Sequence, residues 1–242
     1  MIQFGSLKGK TIAITGASRG IGRETADLLG TLGANLILGS RNEIGLAKLA
    51  TRVEAVGGRA LPVYLDVTDE GSVRNFADVA INEFGTVDVL INSAGIGTFA
   101  SLLDLPTADF DEMISVNLKG TFLACKYFGP QMVQQGHGQI LNIVSIAGTV
   151  ALPGGGGYSA SKFGVLGLTR VLQQELRSEG VQVTAVLPGA VNSSFWDGID
   201  PKPDVSSMMP TSTLARHIVY LLSAHDGTFI DEITIMPPLG IL

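Results

Sequence analysis

Between an apolar β-forming run, Thr11–Thr15, and a helical segment lies the octapeptide Thr15-Gly16-Ala17-Ser18-Arg19-Gly20-Ile21-Gly22. Few folds place glycines at that spacing between a strand and a helix. They let the backbone turn sharply and lie against a pyrophosphate, and the following helix presents free N–H groups and a partial positive charge to it. The alternative is a tight turn with no ligand. No Gly-Lys-Ser/Thr follows, so the turn is not a P-loop. Gly16, Ser18, Arg19, Gly20, Ile21 and Gly22 are therefore candidate dinucleotide contacts.

The rest of the chain repeats the strand-then-helix pattern. Apolar runs occur at Thr11–Thr15, Asn35–Leu38, Leu61–Leu65, Val87–Ile91, Gln139–Val144, Val181–Leu187 and Glu232–Met236. Helical spacing is carried by Leu28, Leu29 and Leu32, by Phe76, Val79, Ala80 and Phe84, and by Val165, Leu168, Leu172 and Leu176. Continuous apolar runs indicate strands buried on both faces, and alternation with helices indicates a parallel sheet with right-handed crossovers. The pattern predicts an α/β doubly wound Rossmann fold, a seven-stranded parallel sheet with helices on both faces, in a single domain over 1–242. Residues 190–210, which include Pro201, Pro203 and Pro210, predict a long loop suited to a substrate lid.

Composition narrows the function classes. The net charge is −6, with 45% hydrophobic and 16% charged residues. This balance gives no footing for nucleic acid or an anionic membrane. The longest stretch free of Asp, Glu, Lys and Arg, between Lys126 and Lys162, is broken by Gln134, Gln135, Gly136, Asn142, Pro153 and four consecutive glycines, so no membrane span is expected. The one cysteine, Cys125, sits among Leu123, Ala124 and Phe128, which fits a core thiol in a reducing, cytoplasmic compartment. No metal site is expected.

The end of the second strand selects the cofactor. An NAD site wants an acid about 20 residues after the glycine turn, to accept from the ribose 2′-OH. Here Ser40 stands at that place and Arg41 follows. Two guanidinium groups, Arg19 and Arg41, favour a 2′-phosphate and hence NADP(H). Glu43, the nearby acid, falls in the next helix's first turn, where it suits the dipole. Asp66 either accepts from the adenine amino group or caps the helix near Thr68-Asp69.

The chemistry points to Tyr158 and Lys162, which lie four residues apart and share a helix face. A phenol with an ordinary pKa of ~10 is a poor acid at neutral pH, and a neighbouring ammonium lowers that value. A shift of about three units needs roughly 4 kcal/mol. Ser145 ends the fifth strand at the sheet edge where such folds bind ligands, outside any G-x-S-x-G elbow. Asn117, a poor helix former among Ile114, Val116 and Leu118, is a buried polar group that needs partners.

These features occur together and in order: the glycine turn, Asn92-Ser93-Ala94-Gly95, Asn117, Ser145, Tyr158 with Lys162, and Pro188-Gly189, with 13 residues from Ser145 to Tyr158. Over nearly its whole length the chain resembles the short-chain dehydrogenase/reductase family, among its carbonyl reductases and 3-oxoacyl reductases. The resemblance implies that Tyr158 protonates a carbonyl oxygen and that Ser145 orients it. It implies that Lys162 binds the nicotinamide ribose and depresses the tyrosine pKa, and that Asn117 holds a relay water. By the same resemblance Asp66 and Val67 lie at the adenine, and Asn92, Ala94 and Gly95 form the cofactor floor. Pro188, Gly189, Val191 and Ser193 meet the nicotinamide end. Two departures stand out: Ser93 replaces a second asparagine, and Ile233 to Gly240 replaces a glycine-rich finish. The latter puts a tetramer contact in doubt, while a homodimer through the two long helices after the fourth and fifth strands is still implied.

The lid carries Phe195, Trp196, Met208 and Met209, which either line an apolar pocket or pack the lid onto the body. An acidic carrier protein would want basic residues near the cleft, whereas the lid carries Asp197, Asp200 and Asp204. The expected substrate is thus a small ketone, aldehyde or secondary alcohol, with a 3-oxoacyl-carrier thioester as the alternative. A non-catalytic dinucleotide sensor or scaffold would dispense with Tyr158 or Lys162. A methyltransferase would want an acid after the second strand, and an extended epimerase a longer chain.

Overall fold

Aliphatic and β-branched runs pair in parallel to build the frame of the molecule, a computed structural model that describes residues 6–199, 203–224, 228–238 and 240–241. Asp200 and Pro201 of the expected lid, and Leu239 of the closing stretch, lie outside these residues. The strands are β1 (Thr11–Thr15), β2 (Asn35–Ser40), β3 (Arg59–Tyr64), β4 (Val89–Asn92), β5 (Gly138–Ile143) and β6 (Val181–Pro188). A two-residue pair follows, β7 (Val191–Asn192) with β8 (Met209–Pro210), and then β9 (Glu232–Ile235). The seven long strands are ordered β3-β2-β1-β4-β5-β6-β9, every pair parallel. The order reverses between β1 and β4, and the crevice beyond the strand ends at such a switch point is where these folds bind ligands.

Helices α1 (Gly20–Thr31), α2 (Glu43–Ala55), α3 (Glu70–Phe84), α4 (Thr107–Met113), α5 (Gly120–Gln135), α6 (Gly156–Leu176) and α7 (Thr211–Ser223) make the crossovers. The two-residue period of the strands divides the interior into two main cores. Ile12, Ile14, Leu36, Leu38 and Ile91 face α1, α2 and α7, whereas Ala13, Ile37, Leu90 and Ile140 face α3 and α5. Phe76 of α3 and Phe128 of α5 meet edge to face at 5.7 Å, both fully buried.

Two expectations need correction. The edge strands are not buried on both faces: β3 exposes Pro62 and Tyr64, and Glu232 in β9 is exposed. An edge strand has a neighbour on one side only, and Pro62, which has no N–H to donate, is tolerated there. Nor does α6 bury a purely apolar stripe: Ser161, Lys162, Thr169 and Gln173 are buried along it, each hydrogen-bonded. That polar spine begins beside the crevice, where Lys162 reaches the Ile143 carbonyl, and runs along the helix to Gln173, which donates to the Val183 carbonyl in β6.

The glycine turn is tightly held. Gly16 has φ +69°, and a Cβ there would lie 2.7 Å from the Ala94 Cα. Gly16→Ala therefore combines backbone strain with a backbone clash and should cost about 2–3 kcal/mol, read as a lower urea midpoint at unchanged slope.

Candidate active site

A cavity of about 810 Å³ opens at the C-terminal ends of the central strands. Its first wall is the glycine turn. Arg19 is the extended N-cap of α1, makes no side-chain cap bond, and no acid lies in the first turn. The helix therefore presents uncapped N–H groups to the cavity. A Cβ on Gly20, at φ +56°, would meet nothing nearer than the Ser193 Cβ at 3.8 Å. Uncapped donors over a clear glycine surface fit a pyrophosphate. Gly22 does not line the cavity: its Cβ would lie 2.6 Å from the Gly16 carbonyl oxygen, so it serves close packing of α1 on the turn.

At the end of β2, the Ser40 and Ser18 hydroxyls hydrogen-bond at 2.8 Å, and Ser40 Oγ also accepts from the Asn42 N–H at 3.1 Å. Arg19 and Arg41 are exposed and border the same cavity. With hydroxyls and cations at the end of β2, and Ser40 rather than an acid in that place, this corner suits a 2′-phosphate. Asp66 borders it from the end of β3. Its Oδ1 accepts from the Thr68 N–H at 2.9 Å and the Thr68 hydroxyl at 2.8 Å, while Asp69 caps α3. Of its two sequence readings, the cap belongs to Asp69. Partial burial opposes the Asp66 charge, but the Thr68 bonds and the nearby Arg41 outweigh it and hold the carboxyl below its ordinary range. Val67 continues that wall.

The floor follows β4. The Ser93 and Ala94 N–H groups both donate to Thr15 Oγ1 at 3.2 Å, which ties the floor to the glycine turn. Ala94 and Gly95 line the cavity and Asn92 does not. Asn92 turns inward, on the same side of β4 as Leu90, and its Nδ2 donates to Asn142 Oδ1 at 2.8 Å and to the Cys125 sulfur at 3.4 Å. Asn142 in turn donates to Thr169 Oγ1 at 2.9 Å. Burial pushes the Cys125 thiol up to about 12, as an inert core thiol requires.

Ser145, Tyr158 and Lys162 converge beyond β5. Ser145 hydrogen-bonds the Tyr158 phenol, and its Oγ accepts from the Ala147 N–H at 3.1 Å. Lys162, one turn along α6, donates from Nζ to the Ile143 carbonyl at 2.9 Å and sits 5.6 Å from the Tyr158 ring centroid. The expected acidification of the phenol is not what the structure produces. Burial pushes Tyr158 up to about 12, against the Ser145 bond, and pushes Lys162 down to about 8. Desolvation outweighs the ammonium because the lysine is itself buried and is directed at a carbonyl.

Asn117 departs from expectation in two ways. It lies in a π-helical turn, Ile114–Lys119, that joins α4 to α5. Its side chain is committed within the protein: Oδ1 accepts from the Ile96 N–H, and Nδ2 donates to the Ile96 carbonyl and to Ser161 Oγ, all at 2.9 Å. Its carbonyl accepts from Thr121 Oγ1 at 2.7 Å. It fixes the Gly95–Ile96 segment to α6 rather than facing the cavity.

The segment after β6 forms the far wall. Pro188, Gly189, Val191 and Ser193 line the cavity as expected from their order. Both readings of the lid hold, for different residues: Phe195, Trp196 and Met208 line the cavity, whereas Met209 packs into the core beside α7. Phe99 escaped the sequence reading, because a long loop has no period to mark it. Its ring lies 5.7 Å from Tyr158 and stacks on Trp196 at 5.8 Å. Ser194 was also missed; its hydroxyl is buried with no hydrogen-bond partner among the described residues. The unusual closing segment packs Met236 and Pro237 against Gly189 and brings Ile241 to the cavity. Among the described residues, no group of three metal-ligating side chains occurs and no helix is long and apolar enough to cross a membrane.

Residues 10–204 match the family model for short chain dehydrogenases. The 3-oxoacyl-[acyl-carrier-protein] reductase of Thermotoga maritima is 36% identical over 81% of this chain and 80% of its own. The alcohol dehydrogenase of the archaeon Thermococcus sibiricus, solved with 5-hydroxy-NADP, superposes with a TM-score of 0.88 at 32% identity, covering 94% of this chain and 96% of that one. A metagenomic short-chain oxidoreductase solved with NADP gives 0.85 at 34% identity, covering 96% and 98%.

Proposed function

The chain belongs to the short-chain dehydrogenase/reductase family, an oxidoreductase family, and on that premise we propose that it transfers hydride between NADP(H) and a ketone or aldehyde and the corresponding alcohol. The observation that carries this reading is the convergence of Ser145, Tyr158 and Lys162 on one cavity with the glycine turn. The nicotinamide supplies or accepts the hydride. Tyr158 gives its phenolic proton to the carbonyl oxygen in reduction and takes it back in oxidation. Ser145 donates to the same oxygen and sets its angle to the phenol. Lys162 supports the tyrosine from below and offers its remaining N–H bonds to a ribose.

The uncapped start of α1 binds the pyrophosphate, and Arg19 and Arg41 bind the 2′-phosphate. The NADP-type ligands of the two solved relatives support the same cofactor. Arg41→Ala should weaken NADPH binding about ten- to a hundredfold and leave NADH binding unchanged, as read by fluorescence titration. Equal affinity of the parent for the two cofactors would defeat the assignment.

The protein acts as a single domain whose 190–210 loop is the lid. Phe122 on α5 and Phe163 and Val171 on α6 are exposed apolar residues, which support a homodimer through these helices over a monomer. The inert Cys125 fits a cytoplasmic compartment. The reaction class is tested by NADPH absorbance loss with a panel of carbonyls. Cofactor binding with no turnover in either direction would leave a sensor or scaffold. The Thermotoga relative favours a second reading, reduction of a 3-oxoacyl-carrier thioester, which the next experiment separates.

A further inference from the structure

We infer that the substrate is an uncharged carbonyl–alcohol pair with a flat or branched apolar group beside the reacting carbon, selected by Phe99 and Phe195. This rests on the oxidoreductase reading and specifies the substrate class of the same site.

Four rings cluster here, the reacting phenol among them. Phe99 and Phe195 lie 5.7 and 5.6 Å from Tyr158. Trp196 joins them, stacked on Phe99 at 5.8 Å and edge-on to Phe195 at 5.1 Å. A carbonyl that reaches the Tyr158 hydroxyl has to bring its substituents along these faces. The wall offers little to a polar substituent, because the indole N–H of Trp196 is spent on the Val191 carbonyl at 2.8 Å. Leu152, Met208 and Ile241 add apolar side chains to the same cavity.

The placement of charge argues the same way. Among the described lining residues the cations are Arg19, Arg41 and Lys162. Arg41 follows β2 and Ser145 follows β5, three strands apart in the sheet and hence roughly 14 Å. Lys162 is buried and directed at Ile143. The charged residue that the described lid brings to the cavity is the acid Asp204. A carboxylate, phosphate or phosphopantetheine tail entering past Asp204 therefore meets rings and a like charge, while the lining cations are engaged elsewhere, Lys162 by Ile143 and Arg19 and Arg41 by the 2′-phosphate of the proposed cofactor.

The fit of Phe195 is close. A Cβ on Gly97 would lie 2.5 Å from the Phe195 Cζ. The ring thus reaches its place over the phenol only because residue 97 has no side chain.

The test uses matched probes at saturating NADPH: ethyl benzoylformate against benzoylformate, and ethyl acetoacetate against acetoacetyl-coenzyme A. The neutral member of each pair should exceed the anionic one at least a hundredfold in kcat/KM. Phe99→Ala should lower kcat/KM for the aryl ester about tenfold more than for acetone, mainly through KM. Asp204→Lys should narrow the ester-to-acid ratio. Equal or better turnover of benzoylformate or acetoacetyl-coenzyme A overturns this inference and leaves the oxidoreductase reading intact. So does a Phe99→Ala loss that is the same for aryl ester and acetone. An NADPH-binding protein that turns over no probe overturns both.

Discussion

Tyr158→Phe should bind NADPH within about twofold of the parent and lose about 10³-fold or more in turnover, in both directions. The substitution removes one oxygen and keeps the ring. The ring contacts with Phe99 and Phe195 therefore persist. What disappears is the hydroxyl that Ser145 holds and that we propose as the proton donor. At neutral pH the phenol, pushed up to about 12, is protonated, which is the state that reduction requires. Oxidation requires the phenolate, so its rate in the parent should climb with pH where that of the variant stays flat. Retained turnover in the phenylalanine variant would remove Tyr158 from the chemistry.

Lys162→Met should lose about 10²-fold or more in turnover and yet melt at or above the temperature of the parent at pH 7. The lysine is buried, and burial lowers its pKa from 10.5 to about 8. A base whose folded pKa lies below its unfolded one binds fewer protons in the folded state. Keeping it charged below pH 8 therefore costs stability, and that cost is relieved as pH rises from 8 toward 10.5. The thermal advantage of the methionine variant should shrink over that window. A variant that melts well below the parent at pH 7 would show instead that the bond to the Ile143 carbonyl outweighs the desolvation of the ammonium. Buried charge held at a site of chemistry is how stability is traded for activity.

Legibility in the sequence followed the range of the signal. Tyr158 and Lys162 were readable because i and i+4 lie one helical turn apart, and Ser145 because it ends a strand. The seven strands were readable because they are short apolar runs, although β4 ends at Asn92 rather than Ile91. Strand parity alone puts Asn92 on the side of Leu90, toward α5, so its inward turn was derivable and was overlooked. The π-helical turn at Asn117 has no local code, since it depends on what α4 and α5 must reach. Phe99 lies in a loop whose course is fixed by the lid. The raised phenol pKa is a tertiary quantity: sequence shows the neighbouring ammonium and not the rings that exclude water from both.

The row of Cys125, Asn92, Asn142 and Thr169 runs from α5 through β4 and β5 to α6 beneath the crevice. To part any of these elements is to strand an amide or a hydroxyl in an apolar interior. The middle of the sheet should therefore open as one unit and open last, with Ser145 and Lys162 mounted on it. The groups proposed to react are thus referenced to the stiffest timber in the molecule, and their alignment does not depend on the loop that follows β6.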